Sequence, residues 1–169
     1  MSQLSLSSFD SVLMVRSARG RYQPASANQI LEAARLVIDQ KMPRGESFTS
    51  PMAVKEYLGT KLACLEHEVF AVLFLDTQHR LIEYSELFRG TIDSASVYPR
   101  EVLKEALRLN AAAAIISHNH PSGNPEPSAA DKSLTKRLRE ALAMVDVRVL
   151  DHIIVCGTST TSFAEHGLL

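Results

Sequence analysis

The residues most able to do chemistry lie in one segment, His118-Asn119-His120-Pro121-Ser122-Gly123-Asn124-Pro125-Glu126-Pro127-Ser128-Ala129-Ala130-Asp131. His118 and His120 are two apart at the end of an apolar run, and side chains two apart in an extended chain point the same way. Both imidazoles can therefore face one point. The next ten residues hold three prolines and one glycine, a stiff turn that returns the chain at a helix start. Asp131 falls in the first turn of that helix, on a stripe completed by Leu134, Leu138, Ala141, Leu142 and Val145. A carboxylate on a core-facing stripe is costly unless it is paired or holds a metal. Two imidazoles and one carboxylate leave a fourth tetrahedral position open, the arrangement of catalytic rather than structural zinc. A metal there would lower the pKa of its bound water to about 7 and make a hydroxide nucleophile.

Plainer readings exist for each part. Ser128-x-x-Asp131 before an apolar-periodic helix is also a capping box. A His-x-His pair by itself is often ordinary surface or core histidine. The conjunction favours a site, because His-x-His, a proline-stiffened loop, then Ser and Asp at a helix start seldom coincide by chance. The readings also overlap: Ser128 can cap the helix by accepting a backbone N–H and still turn its hydroxyl toward the site.

These residues need elements to position them. Val69–Leu75 is an unbroken apolar run of strand length, suited to a central strand buried on both faces. Leu81–Phe88, Thr91–Val97, Ala112–Ser117, Val147–Val155 and Thr160–Phe163 read as further strands. The spacing of apolar residues predicts helices from Asn28, as cap, to about Gln40, from Ser50-Pro51 to about Leu62, from Pro99 to about Leu109, and from Ser128 to about Met144. Residues 1–26 read as a weakly periodic arm, poorly ordered or docked on a partner. The expected organisation is an N-terminal arm and helix over 1–45, then an α/β domain over 46–169 with a mixed sheet between helices.

Composition narrows the classes. Of the 169 residues, 46% are hydrophobic and 22% charged, which excludes wholesale disorder and a coiled coil. The net charge is −1, so nothing forces a nucleic-acid partner. Lys132, Lys136, Arg137 and Arg139 read as a solvated helix face. Cys64 and Cys156 are too few for a disulfide framework and read as small buried hydrophobes. No run approaches a membrane span, and a reduced, cytoplasmic compartment is expected. His152 reads as a strand histidine with a structural hydrogen bond or an orienting role. His67, His79 and His166 read as exposed.

His-x-His, seven residues, Ser, two residues, Asp is similar to the JAMM motif of the MPN metalloprotease superfamily. The wider segment, with EVFAVLFLD, RGTI, YPREVLKEAL and LDHIIV, resembles the RadC family from about Ser50 to the end. The resemblance implies an MPN fold related to cytidine deaminases. It implies one zinc per chain held by His118, His120 and Asp131, with Ser128 assisting as donor toward the oxyanion. It also implies a general base, a glutamate just before an apolar strand, which favours Glu68 over Glu66. The expected activity is hydrolysis of peptide or isopeptide bonds in an unknown protein or peptide.

Three rival readings exist. HNH nucleases spread their named residues over a ββα finger, whereas these are contiguous. Zinc deaminases need His-x-Glu followed by Pro-Cys-x-x-Cys, which this sequence lacks. The third is a non-enzymatic DNA-repair-associated accessory, binding DNA or protein. Its helix-hairpin-helix domain, usual in full-length RadC proteins, is not evident here. The near-neutral charge also gives little support to strong DNA binding.

Overall fold

The computed structural model describes residues 13–41, 44–45, 47–48, 50–90 and 97–169. The chain divides into two compact units, with the boundary after Lys41. In the smaller one, β1 (Met14–Arg16) pairs antiparallel with β2 (Tyr22–Pro24), and α1 (Ala27–Lys41) follows. Part of the expected arm is therefore a hairpin. The cap of α1 is Ser26 and not Asn28. The Ser26 N–H donates to Gln29 Oε1 at 2.9 Å, and the Gln29 N–H donates to Ser26 Oγ at 3.3 Å. This reciprocal box satisfies two helix-end donors, which Asn28, already inside the helix, cannot do.

The larger unit carries α2 (Pro51–Leu62), β3 (Val69–Leu75), β4 (Leu81–Arg89), α3 (Pro99–Arg108), β5 (Ala113–Asn119), α4 (Ala129–Ala143), β6 (Arg148–Cys156) and β7 (Ser159–Ser162). The strands form one mixed sheet in the order β4-β3-β5-β6-β7, with β5 and β6 parallel and the other pairs antiparallel. Every residue of β3 is buried, as its unbroken apolar run requires. Of the expected strand 91–97, residues 91–96 lie outside the described residues and Val97 is not in a strand.

Alternation along the strands assigns the two faces. Phe70, Val72 and Phe74 of β3, with Ala114 and Ile116 of β5, pack against Val102 and Ala106 of α3 and Leu138 and Leu142 of α4. On the other face Leu75, Ile115 and Ile153 meet Val54 of α2 around a cavity of about 280 Å³. The even-numbered face of β5 thus looks at α4. His118 continues that face beyond Ile116, and Asp131 opens the helix that covers it.

Candidate metal centre

Ligand atoms of His118, His120 and Asp131 lie within 4.8 Å of one another, the group among the described residues able to hold a metal ion. His118 is the penultimate residue of β5, paired with Phe70 on one side and Ile154 on the other. The residue is 1% exposed. His120 lies one step past the strand, where its N–H still donates to the Val155 carbonyl at 2.9 Å. The chain then turns at Gly123, whose φ of +82° suits glycine. Thr161 Oγ1 donates to the Pro125 carbonyl at 2.9 Å and ties the loop to β7.

Asp131 divides its two oxygens. Oδ2 accepts from the Ser128 N–H at 2.8 Å and from Ser128 Oγ at 2.6 Å, while the Asp131 N–H donates to Ser128 Oγ at 3.0 Å. That is a complete capping box at the start of α4. Oδ1 stands 3.3 Å from His118 Nε2, and Oδ2 3.6 Å from His120 Nε2. Cap and site are therefore served by one carboxylate. Ser128 spends its hydroxyl proton on Asp131, so in this arrangement the hydroxyl does not point at an open position.

A chain of hydrogen bonds fixes the imidazole tautomers. Thr135 Oγ1 donates its single proton to the Asp131 carbonyl at 2.6 Å. It must then accept from His152 Nδ1–H, 2.6 Å away. His152 Nε2 is left as the acceptor for His118 Nδ1–H at 2.8 Å. Burial first, and the neighbouring His118 second, hold the His152 pKa well below the ordinary histidine value, so it stays neutral. His120 Nδ1–H donates to the Asn124 carbonyl at 2.7 Å. When the two rings are neutral both Nε2 atoms therefore carry lone pairs, and they stand 2.9 Å apart beside a carboxylate.

Two lone pairs at that distance repel unless a cation stands between or beside them. A proton can serve. The hydrogen bond to Asp131 raises the His120 pKa; burial opposes this, while the Asn124 carbonyl and the charges of Asp131 and Glu68 add to it. Asp131 moves the other way. Burial alone would push its pKa up, but hydrogen bonds from His118, His120 and Ser128 outweigh it and keep the carboxylate ionised. Neutral imidazole nitrogens and an ionised carboxylate are the donor set zinc takes, so these residues fit the metal.

Glu68 is half-buried just before β3. Continuing the Phe70–His118 register by two residues sets it across from His120. Glu66 is exposed, in a bend at residues 66–67. The alternation that would put both glutamates on one face does not reach it, because the chain is not extended there. Cys64 is exposed, with a φ of +60°, and only Cys156 is buried. The expectation of two buried cysteines fails at a turn residue, where no apolar neighbour closes over the thiol. His67 and His79 are half-buried rather than exposed, while His166 is exposed as expected. Lys132, Lys136, Arg137 and Arg139 all face solvent.

The sequence reading assigned no part to Asn119 or Thr135, although both are buried, at 3% and 2% exposure. A polar residue flanked by two histidines at a strand end was the available signal for Asn119. Thr135 carried one too, four residues after Asp131 on the stripe side of α4.

A mixed sheet between helices, with a His-x-His strand end facing an acidic helix start, defines a JAB (MPN) domain. A family model described as the RadC-like JAB domain matches residues 48–168, and the chain belongs to that family. A UPF0758 protein of Vibrio cholerae is 59% identical over 92% of this chain and 100% of its own length. One of Methylibium petroleiphilum is 59% identical over 89% of the chain and 68% of its own length. One of Leptothrix cholodnii is 61% identical over 83% of the chain, which spans 63% of that relative. Among the described residues no helix is long and apolar enough to cross a membrane.

Proposed function

We propose that the protein is a zinc-dependent metallohydrolase that cleaves peptide or isopeptide bonds, with one zinc per chain at His118, His120 and Asp131. The observation that carries this reading is the convergence of His118 Nε2 and His120 Nε2, 2.9 Å apart, beside the Asp131 carboxylate. The hydrogen bonds of Thr135, His152 and Asn124 occupy both Nδ1 atoms and leave both Nε2 atoms turned toward the carboxylate, where a proton or a metal ion can bind. Zinc bound there supplies a Lewis acid for a carbonyl and a water acidified to about pKa 7.

The chain's own residues do the rest. Glu68, across from His120, takes the proton of the attacking water and delivers it to the leaving amine. Ser128 holds Asp131 and, on release of that bond, donates toward the oxyanion. The substrate is a protein or peptide, and the setting a reducing cytoplasm.

The test is metal content of the purified protein, followed by an unbiased search for cleaved proteins. About one zinc per chain is expected. His118→Ala and His120→Ala should each lose it and keep the fold. Glu68→Gln should keep zinc and fold while turnover falls by ~10²–10⁴-fold, and Glu66→Gln should stay active. Stoichiometric zinc in the double histidine variant would sink the assignment.

A further inference from the structure

Asn119 stands between the two histidines but leaves β5 on the opposite face, because alternate residues of a strand point to opposite sides. Its side chain reaches the segment that leads into β3. Oδ1 accepts the Val69 N–H at 2.8 Å, and Nδ2 donates to the His67 carbonyl at 3.0 Å. These two groups flank Glu68 in the chain. The β3–β5 backbone ladder is registered only as far as Phe70 and His118. The next pair would be Val69 and Asn119, and there the side-chain amide takes over as a surrogate peptide group. On its other edge the Glu68 carbonyl accepts from the Gly90 N–H at 2.8 Å. The backbone at Glu68 is thus gripped on both sides, and continuing the Phe70–His118 register by two residues sets it across from His120.

We propose that Asn119 is a positioning residue for the general base: its amide clamps residues 67 and 69 and so holds the Glu68 carboxylate toward the metal centre. The inference rests on the metallohydrolase reading above for the role of Glu68, and on the hydrogen bonds alone for the clamp. It assigns separate tasks to the three consecutive residues 118–120, with metal ligation on one face of β5 and base alignment on the other. Both of Asn119's polar groups are used, so a buried amide at 3% exposure is satisfied. An aspartate there would keep the acceptor for Val69 and lose the donor to His67.

The experiment loads cobalt(II) into the wild type, Asn119→Ser, Glu68→Gln and the double variant, and records the visible absorption bands at one pH. Asn119→Ser should take up cobalt, with affinity changed by less than the ~10-fold expected when a ligand loses its direct partner. Its bands should change as those of Glu68→Gln do, and the double variant should show no further change. Asn119→Asp should fall between Asn119→Ser and wild type, which serves if the serine variant folds poorly. Wild-type bands in Asn119→Ser, additive changes in the double variant, or loss of cobalt uptake would each overturn the proposal. So would a Glu68→Gln spectrum identical to wild type.

Amide exchange in the metal-free protein separates the clamp from the chemistry. In Asn119→Ser the Val69 amide should exchange roughly 5–10-fold faster, as for one lost net hydrogen bond, while Ile154 in β6 stays protected. Failure of wild type to bind cobalt would defeat the metallohydrolase reading without touching that result. Unchanged exchange at Val69 would defeat the clamp.

Discussion

Asp131 shows how one side chain can carry two duties. Oδ2 closes the capping box with Ser128, and Oδ1 looks at His118 Nε2. Asp131→Asn retains a carbonyl oxygen for the cap, so stability should fall by no more than ~1 kcal/mol, at or below the usual cost of losing a cap. Zinc affinity should drop by more than the ~10–100-fold that follows loss of an outer partner, because the charge itself is gone. Calorimetric melting and competition with a chelator measure the two effects. Equal zinc affinity in the variant would return Asp131 to capping alone. The same carboxylate sets a pH dependence. The folded pKa of His120 is raised, first by the hydrogen bond it donates to Asp131. In the metal-free protein, stability from this pair is therefore full below the ordinary value of about 6.5 and is lost as pH rises through the raised pKa. Zinc needs the neutral ring, so zinc affinity should run the opposite way and weaken as pH falls through that raised value. Chelator competition at several pH values checks it; a flat profile would contradict the pairing.

At the scale of elements, the site is made by β5 and α4, and α4 depends on its first turn. Ser128→Ala removes the acceptor for the Asp131 N–H and the hydroxyl donor to Oδ2. A loss of about 0.5–2 kcal/mol in denaturant unfolding is expected from the cap, with weaker zinc binding because Oδ2 keeps only the backbone N–H of residue 128 to hold it. Loss of stability with zinc affinity unchanged would show that capping and ligation are independent. These two elements were also the most legible in the sequence. The apolar run before His118 and the stripe from Leu134 to Val145 have unambiguous periods. Asp131 was readable as ligand or cap because both patterns overlap on it. Asn119 was not readable, because its partners lie about 50 residues away and depend on strand register. The bend at residues 66–67 was missed for a related reason: two glutamates in a polar stretch carry no periodicity to mark where the strand begins. The start of α1 was misplaced by two residues because Asn28 and Ser26 are both good caps, and only Gln29 reaching back decides between them.

For the whole molecule the charge balance matters most. A net charge of −1 provides little nonspecific attraction for duplex DNA. The exposed Lys132, Lys136, Arg137 and Arg139 on α4 provide a local basic face. Duplex DNA binding should accordingly be weak, steeply reduced by salt, and unaffected by His118→Ala. Titration at two salt concentrations tests this. Tight binding that disappears with the histidine would place a nucleic acid at the metal centre and reverse the order of the two functional readings.

The thread from His118 through His152 and Thr135 to the Asp131 carbonyl joins the sheet to the helix that covers it. The ligands come from both, so an ion held by all three ties the seating of α4 to its own retention. Linkage then works in both directions: by whatever factor the ion favours the seated helix, the seated helix favours the ion. Leu138 and Leu142 offer no ligand atom, yet both hold α4 to the core. Packing there is thermodynamically part of the protein's affinity for metal.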